Sequence, residues 1–161
     1  MDQELSQSRL AADWRVLSIL SALPWQFIND GYIAETLTAS AMYHALIRTH
    51  HITSRKKVAT LKAAAKKLNC YALLRSGGVP GLMYVESSDL KDTQSWVDTV
   101  HGLRYKDYQL IAAPSAGGKE IVPATGRGIL EEVDNAREFA AAMESKGLLK
   151  WWRTAMGYVH E

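Results

Sequence analysis

The sequence holds one cysteine, Cys70, among its 161 residues. A single thiol excludes an intramolecular disulfide framework and every multi-cysteine zinc pattern, which favours a reducing nuclear or cytoplasmic compartment over secretion. No run of about 18 apolar residues occurs, the length a membrane-crossing helix needs, so no membrane partner is expected. The first eight residues are polar and carry Asp2 and Glu4. With no basic segment followed by an apolar one, a signal peptide is not expected.

Constellations that carry catalysis are also missing. The five histidines (His44, His50, His51, His101 and His160) sit in no recognisable nucleophile-base setting. His50 and His51 are adjacent, so on a strand they point to opposite faces. His44 and His50 share a face but have no third ligand, and neither a metal nor a cofactor is expected. Gly77-Gly78 and Gly126-Arg127-Gly128 match neither a dinucleotide fingerprint nor a P-loop and read as turns. Cys70 opens an expected strand directly after a helix, a place for a small core residue. Glu131 and Glu132 lie ahead of a helix, where carboxylates complement its dipole. The chain is therefore read as non-enzymatic.

What the chain does have is a hydrophobic fraction of 47%, enough for one buried core with extensions. Its net charge of +2 is unevenly spread: positions 44–107 hold 11 Lys and Arg against 5 Asp and Glu. The densest point is His50-His51-Ile52-Thr53-Ser54-Arg55-Lys56-Lys57, between an apolar strand-like run and a lysine-studded helical repeat of Val58, Leu61, Ala65 and Leu68. Cationic side chains there coincide with the unpaired N–H groups of a helix start, which favours anions such as phosphates. The plainer alternative is a solvated first turn capped by Thr53 or Ser54.

Hydrophobic periodicity gives the organisation. Residues 1–40 supply an amphipathic helix over 3–22, with Leu10, Trp14 and Leu17 in line, and an aromatic loop around Gly31. Residues 41–113 then alternate: strand 42–52, helix 54–69, strand 70–75, a Gly/Pro turn, strand 82–86, helix 88–103, strand 108–112. Asn69 marks the end of the first helix, and Ser88 with Asp89 starts the second. The order βαββαβ predicts an α+β, ferredoxin-like sandwich of four antiparallel strands with both helices on one face. Residues 114–128 form a surface loop rich in Gly and Pro. Residues 129–161 form a C-terminal helical extension, capped by Asp134 or Asn135 and packed on the core through Phe139, Met143, Trp151 and Trp152.

These residues resemble a known family, the C-terminal domain of the spliceosomal U4/U6 pre-mRNA-processing factor three, which also ends RWD-domain proteins of the RWDD-two type. The resemblance spans roughly 41–156. It rests on His50-His51-Ile52 with Ser54-Arg55-Lys56-Lys57, on Gly81-Leu82-Met83-Tyr84-Val85-Glu86, on Leu103-Arg104-Tyr105-Lys106, and on Asn135-Ala136-Arg137-Glu138-Phe139 with Gly147 and Trp152. The chain departs from the family at Ser87, where glycine is common, and at Tyr105, where tryptophan is common. The resemblance implies a ferredoxin-like fold and binding of base-paired U4/U6 RNA with its adjoining single strand, hence a role in mRNA splicing.

The expected RNA contacts are to phosphates, from Arg48, His50, His51, Arg55, Lys56, Lys57 and Arg75. Tyr43, Tyr71 and Tyr84 are candidates for stacking bases on an open sheet face. The alternative expectation is a protein-interaction adaptor of RWD-associated type, engaging a protein partner through the tryptophan-bearing terminal helices.

Overall fold

The computed structural model describes residues 41–117 and 127–159. The N-terminal helix and aromatic loop expected over 1–40, and most of the loop expected over 114–128, lie outside these residues. The described residues form an α+β unit of five strands and four helices: β1 (Tyr43–Thr49), α1 (Arg55–Lys67), β2 (Tyr71–Arg75), β3 (Gly81–Ser87), α2 (Leu90–Gly102), β4 (Gln109–Ala116), β5 (Ile129–Val133), α3 (Ala136–Ser145) and α4 (Leu149–Ala155).

Three of the four helices begin at a side-chain cap. The side chains of Ser54, Asp89 and Asn135 accept from the backbone N–H groups of Lys57, Lys91 and Glu138, satisfying donors that the first turn leaves free. At the other end the chain turns left-handed. Asn69, at φ 51°, closes α1 with bonds from its own N–H to the Lys66 carbonyl and from the Cys70 N–H to the Ala65 carbonyl. Gly147, at φ 69°, closes α3 the same way, with Leu148 bonded back to Met143.

The strands assemble in the order β4-β1-β3-β2-β5. Neighbours β4-β1, β1-β3 and β3-β2 are antiparallel, whereas β5 lies parallel to β2. The sheet is thus five-stranded and mixed, where four antiparallel strands were expected. The added strand falls at the start of 129–161, a segment expected as a helical extension capped by Asp134 or Asn135 with no strand ahead of it. Ile129, Leu130 and Val133 are β-formers between Gly128 and Asp134, and the free edge of β2 gives them a ladder. Between β1 and β4 the register shifts, His44 pairing with Ser115 and Leu46 with Ala112, so that Ala113 and Pro114 oppose one residue in a bulge.

The central strands are buried on both faces. Ala45, Ile47, Ala72, Leu74, Met83 and Val85 pack under α1 and α2, whose inward stripe is Val58, Leu61, Ala65, Trp96, Val97 and Val100. Trp96 also donates its indole N–H to the Leu61 carbonyl at 3.2 Å, joining the two helices. On the other face, Leu46, Leu73, Leu82, Tyr71 and Tyr84 pack under Phe139 and Met143 of α3 and Trp152 of α4. The sheet face expected to be open is therefore roofed. Its strands are continuous apolar runs, and a sheet of that kind is stable only between two covering layers.

One polar cluster crosses the second interface. Glu86 accepts from Lys146, which caps the C-terminus of α3, and, at 2.6 Å, from the Tyr84 hydroxyl; both charged side chains are nearly buried. The Lys146 ammonium also lies 3.9 Å from the Tyr71 ring centroid. Lys146→Met leaves Glu86 charged and unpaired, and should cost about 3–5 kcal/mol in denaturant unfolding, most of it restored by adding Glu86→Gln. Gly81→Ala places a methyl 2.6 Å from Thr49 Oγ1 and 2.7 Å from Ile52 Cγ1. It should destabilise the fold by about 1–3 kcal/mol in the same assay.

Candidate nucleic-acid interface

The basic octapeptide leaves β1 at the end of the sheet and enters α1, and the structure divides its charges among three places. Ile52 is buried and His51 is exposed, so this stretch anchors to the core at one residue and lifts its neighbour outward. Arg55 reaches across to β5 and grips Glu132 through both guanidinium nitrogens, each at 3.0 Å. That fork holds the Glu132 carboxyl below the usual carboxylate range. Arg55 therefore fastens α1 to the sheet edge, and its charge is largely neutralised where phosphate binding was expected of it.

Lys57 is diverted too. Its ammonium donates to the Arg104 carbonyl at 3.3 Å and sits 4.7 Å from the Tyr105 ring centroid. Lys56 remains exposed, and further along α1 so do Lys62, Lys66 and Lys67. Those three lie outside the expected set. The signal for them is the composition of α1: Arg55, Lys56, Lys57, Lys62, Lys66 and Lys67 are basic, and none of its 13 residues is acidic. Between the lysines the outward positions are Ala59, Thr60 and Ala63, side chains short enough to let a phosphate backbone approach.

Arg48 and His50 stand apart from this helix, at the exit of β1. They line a cavity of about 230 Å³ with Val79, Pro80, Asp107 and Gln109. Arg48 pairs with Gln109 on β4 and Leu82 on β3, and Leu82 pairs with Arg75 on β2, so both arginines rise from one row of one sheet face. Arg75 is turned inward, donating to the Pro80 carbonyl at 2.7 Å. It braces the turn that forms one wall of the cavity. His50 Nδ1 lies 3.1 Å from Asp107 Oδ2. Asp107 gives no local sign of this in the sequence, because the pairing depends on a turn in which both Arg104 and Asp107 adopt positive φ, 52° and 56°.

Two of the three tyrosines considered for stacking are otherwise engaged, and the third, Tyr43, is half-buried at the start of β1. Tyr84 is wholly buried and Tyr71 nearly so, its hydroxyl donating to Glu131 at 2.7 Å. Burial pushes both phenols above their ordinary range. Glu131 and Glu132 thus serve the Tyr71 hydroxyl and the Arg55 fork from a strand, where a role ahead of a helix was expected.

Cys70 is fully buried, and burial pushes its thiol up to about 11. Its thiol lies 3.5 Å from the Leu68 carbonyl. Such a thiol is a poor nucleophile at neutral pH. His44 is buried against the Trp151 ring, centroids 4.4 Å apart, and burial holds its pKa below the ordinary value. Among the described residues, no group of three His, Cys, Asp or Glu side chains could hold a metal ion, and no helix is long and apolar enough to cross a membrane.

Set beside known proteins, the chain matches no family model and no curated protein.

Two outcomes follow from the buried groups. Native protein should leave Cys70 unmodified by a thiol reagent at pH 8, and should react with one equivalent once unfolded; fast native labelling contradicts the buried, raised thiol. A histidine with a depressed folded pKa stabilises the fold while both states are neutral, and this stability is lost as pH falls from the unfolded value near 6.5 through the lower folded one. Denaturant midpoints should therefore decline below about pH 6.5, and His44→Phe should flatten that part of the profile relative to wild type.

Proposed function

We propose that the chain is a non-enzymatic RNA-binding domain of ferredoxin-like type, resembling the C-terminal domain of pre-mRNA-processing factor three. The order β1-α1-β2-β3-α2-β4, with strands arranged β4-β1-β3-β2, supports the ferredoxin-like reading, β5 being appended beyond β2. The observation that carries the RNA reading is α1: a helix with six cationic residues and no acid, whose outward lysines are separated by alanine and threonine. Lys56 and Lys67 lie about 16 Å apart along its axis at 1.5 Å per residue. A polyanion following the helix meets one sign of charge along that length.

The two roofed tyrosines favour a phosphate-led mode over base stacking on the sheet. Lys56, Lys62, Lys66 and Lys67 are the principal contacts, and the exposed His51 extends them at the sheet end. The partner is duplex RNA with an adjoining single strand, and the resemblance favours a nuclear or cytoplasmic role in mRNA splicing. Among the described residues the adaptor reading has less to rest on: Trp152 packs against Phe139 and Trp151 against His44.

A short RNA duplex with a 3′ overhang should bind at low salt, with affinity falling on a log-log plot by about 0.7–0.9 per phosphate contacted. Lys56→Glu with Lys62→Glu should weaken binding at least tenfold and flatten that slope, whereas Arg55→Lys should change affinity little. Absence of binding at low salt, or affinity indifferent to the lysine reversals, overturns the reading.

A further inference from the structure

We infer that the cavity between β1, the turn before β4 and the turn before β3 is a seat for a single unpaired nucleobase, with guanine the base it selects. Its floor is held from three directions. The His50 N–H donates to the Lys106 carbonyl at 2.9 Å, and the His50 carbonyl accepts from the Gly81 N–H at 2.9 Å, so one residue ties the end of β1 to both neighbouring segments. Arg75 supports the remaining wall through Pro80. The site is thus built on bonded backbone, which limits the ordering cost of binding.

Size and polarity select the ligand. About 230 Å³ is below the ~300 Å³ at which sites for drug-sized ligands begin, so it suits one planar heterocycle better than a whole nucleotide. The His50 ring offers an aromatic surface, its side chain 37% exposed, and Val79 and Pro80 offer apolar surface. Unstacked RNA bases are held by such groups. A phosphate fits less well, because the Asp107 carboxylate, 61% exposed, opposes an anion in the same space.

A base edge, in contrast, uses both signs. Arg48 and Gln109 are cross-strand partners on one face, and Asp107 borders the same cavity. Arginine matches the O6 and N7 acceptors of guanine. A carboxylate matches guanine's N1–H and exocyclic amine, and Asp107 Oδ1 is left for that purpose while Oδ2 meets His50. Adenine offers neither O6 nor N1–H. Two non-glycine residues at positive φ, Arg104 and Asp107, hold the carboxylate in place, a local cost of the kind concentrated at binding sites.

This inference rests on the RNA reading for its biological ligand but not for its test. The four nucleoside monophosphates are titrated separately into isotope-labelled protein, and RNA duplexes carrying a one-nucleotide 3′ overhang of G, A, C or U are compared with the blunt duplex. GMP should shift the signals of Arg48, His50 and Gln109 more than AMP, CMP or UMP, and the G overhang should bind about fivefold or more tighter than the other three. Asp107→Asn should erase the preference without weakening blunt-duplex binding, which the lost negative charge can only favour; asparagine tolerates positive φ, so the variant keeps the turn. Equal shifts from all four nucleotides, equal affinity for all four overhangs, or a preference that survives Asp107→Asn each overturn the base seat. If no RNA binds while GMP still shifts these residues selectively, the RNA reading fails and the base seat stands.

Discussion

The central strands are apolar on both faces, and the rest of the structure follows from that constraint. A sheet in which Leu46, Leu73, Leu82 and Tyr84 face away from α1 and α2 cannot leave that side in water. Each of those leucine side chains gains on the order of 2 kcal/mol from cover. Helices α3 and α4 supply it, and β5 brings the chain back to the sheet just ahead of them. The described unit is therefore three-layered, its central strands covered on both faces and its edge strands more exposed.

Polar groups inside the second interface make the packing specific. Glu86 collects Lys146 and Tyr84, and Tyr71 receives Lys146 over its ring and donates a hydrogen bond from its hydroxyl to Glu131. Removing one member exposes another to an unsatisfied, low-dielectric site, which costs more than the bond contributes when intact. These contacts also fix which side of α3 meets the sheet, a choice that Phe139 and Met143 alone leave looser.

Much of this was legible in the sequence because its causes are local. Ser54, Asp89 and Asn135 cap their helices as their side-chain chemistry predicts, Asn69 ends α1, and the stripe of Trp96, Val97 and Val100 on α2 faces inward. What was not legible depends on partners far along the chain. Arg55 and Glu132 are 77 positions apart, so a cation that looked free belongs to an ion pair. β5 is a five-residue run with two glutamates, and it becomes a strand only because β2 has a free edge. Asp107 and Gln109 border a cavity with His50 through a turn whose positive φ values no residue type in it announces. The acid-free composition of α1 is legible in the sequence, but which of its cations stay free is set by Glu132 and the Arg104 carbonyl, far along the chain.

The bulge at Ala113 and Pro114 has a consequence for the protein in crowded solution. Among the described residues, β4 pairs only with β1, so its far side is the place where another molecule's strand could attach. Proline offers no N–H to such a ladder, and the bulge breaks the even spacing a second strand would need. At the opposite end of the sheet β5 carries paired glutamates. Strand addition to the described sheet thus meets a missing donor at its β4 edge, and at its β5 edge two carboxylates already committed to Arg55 and Tyr71.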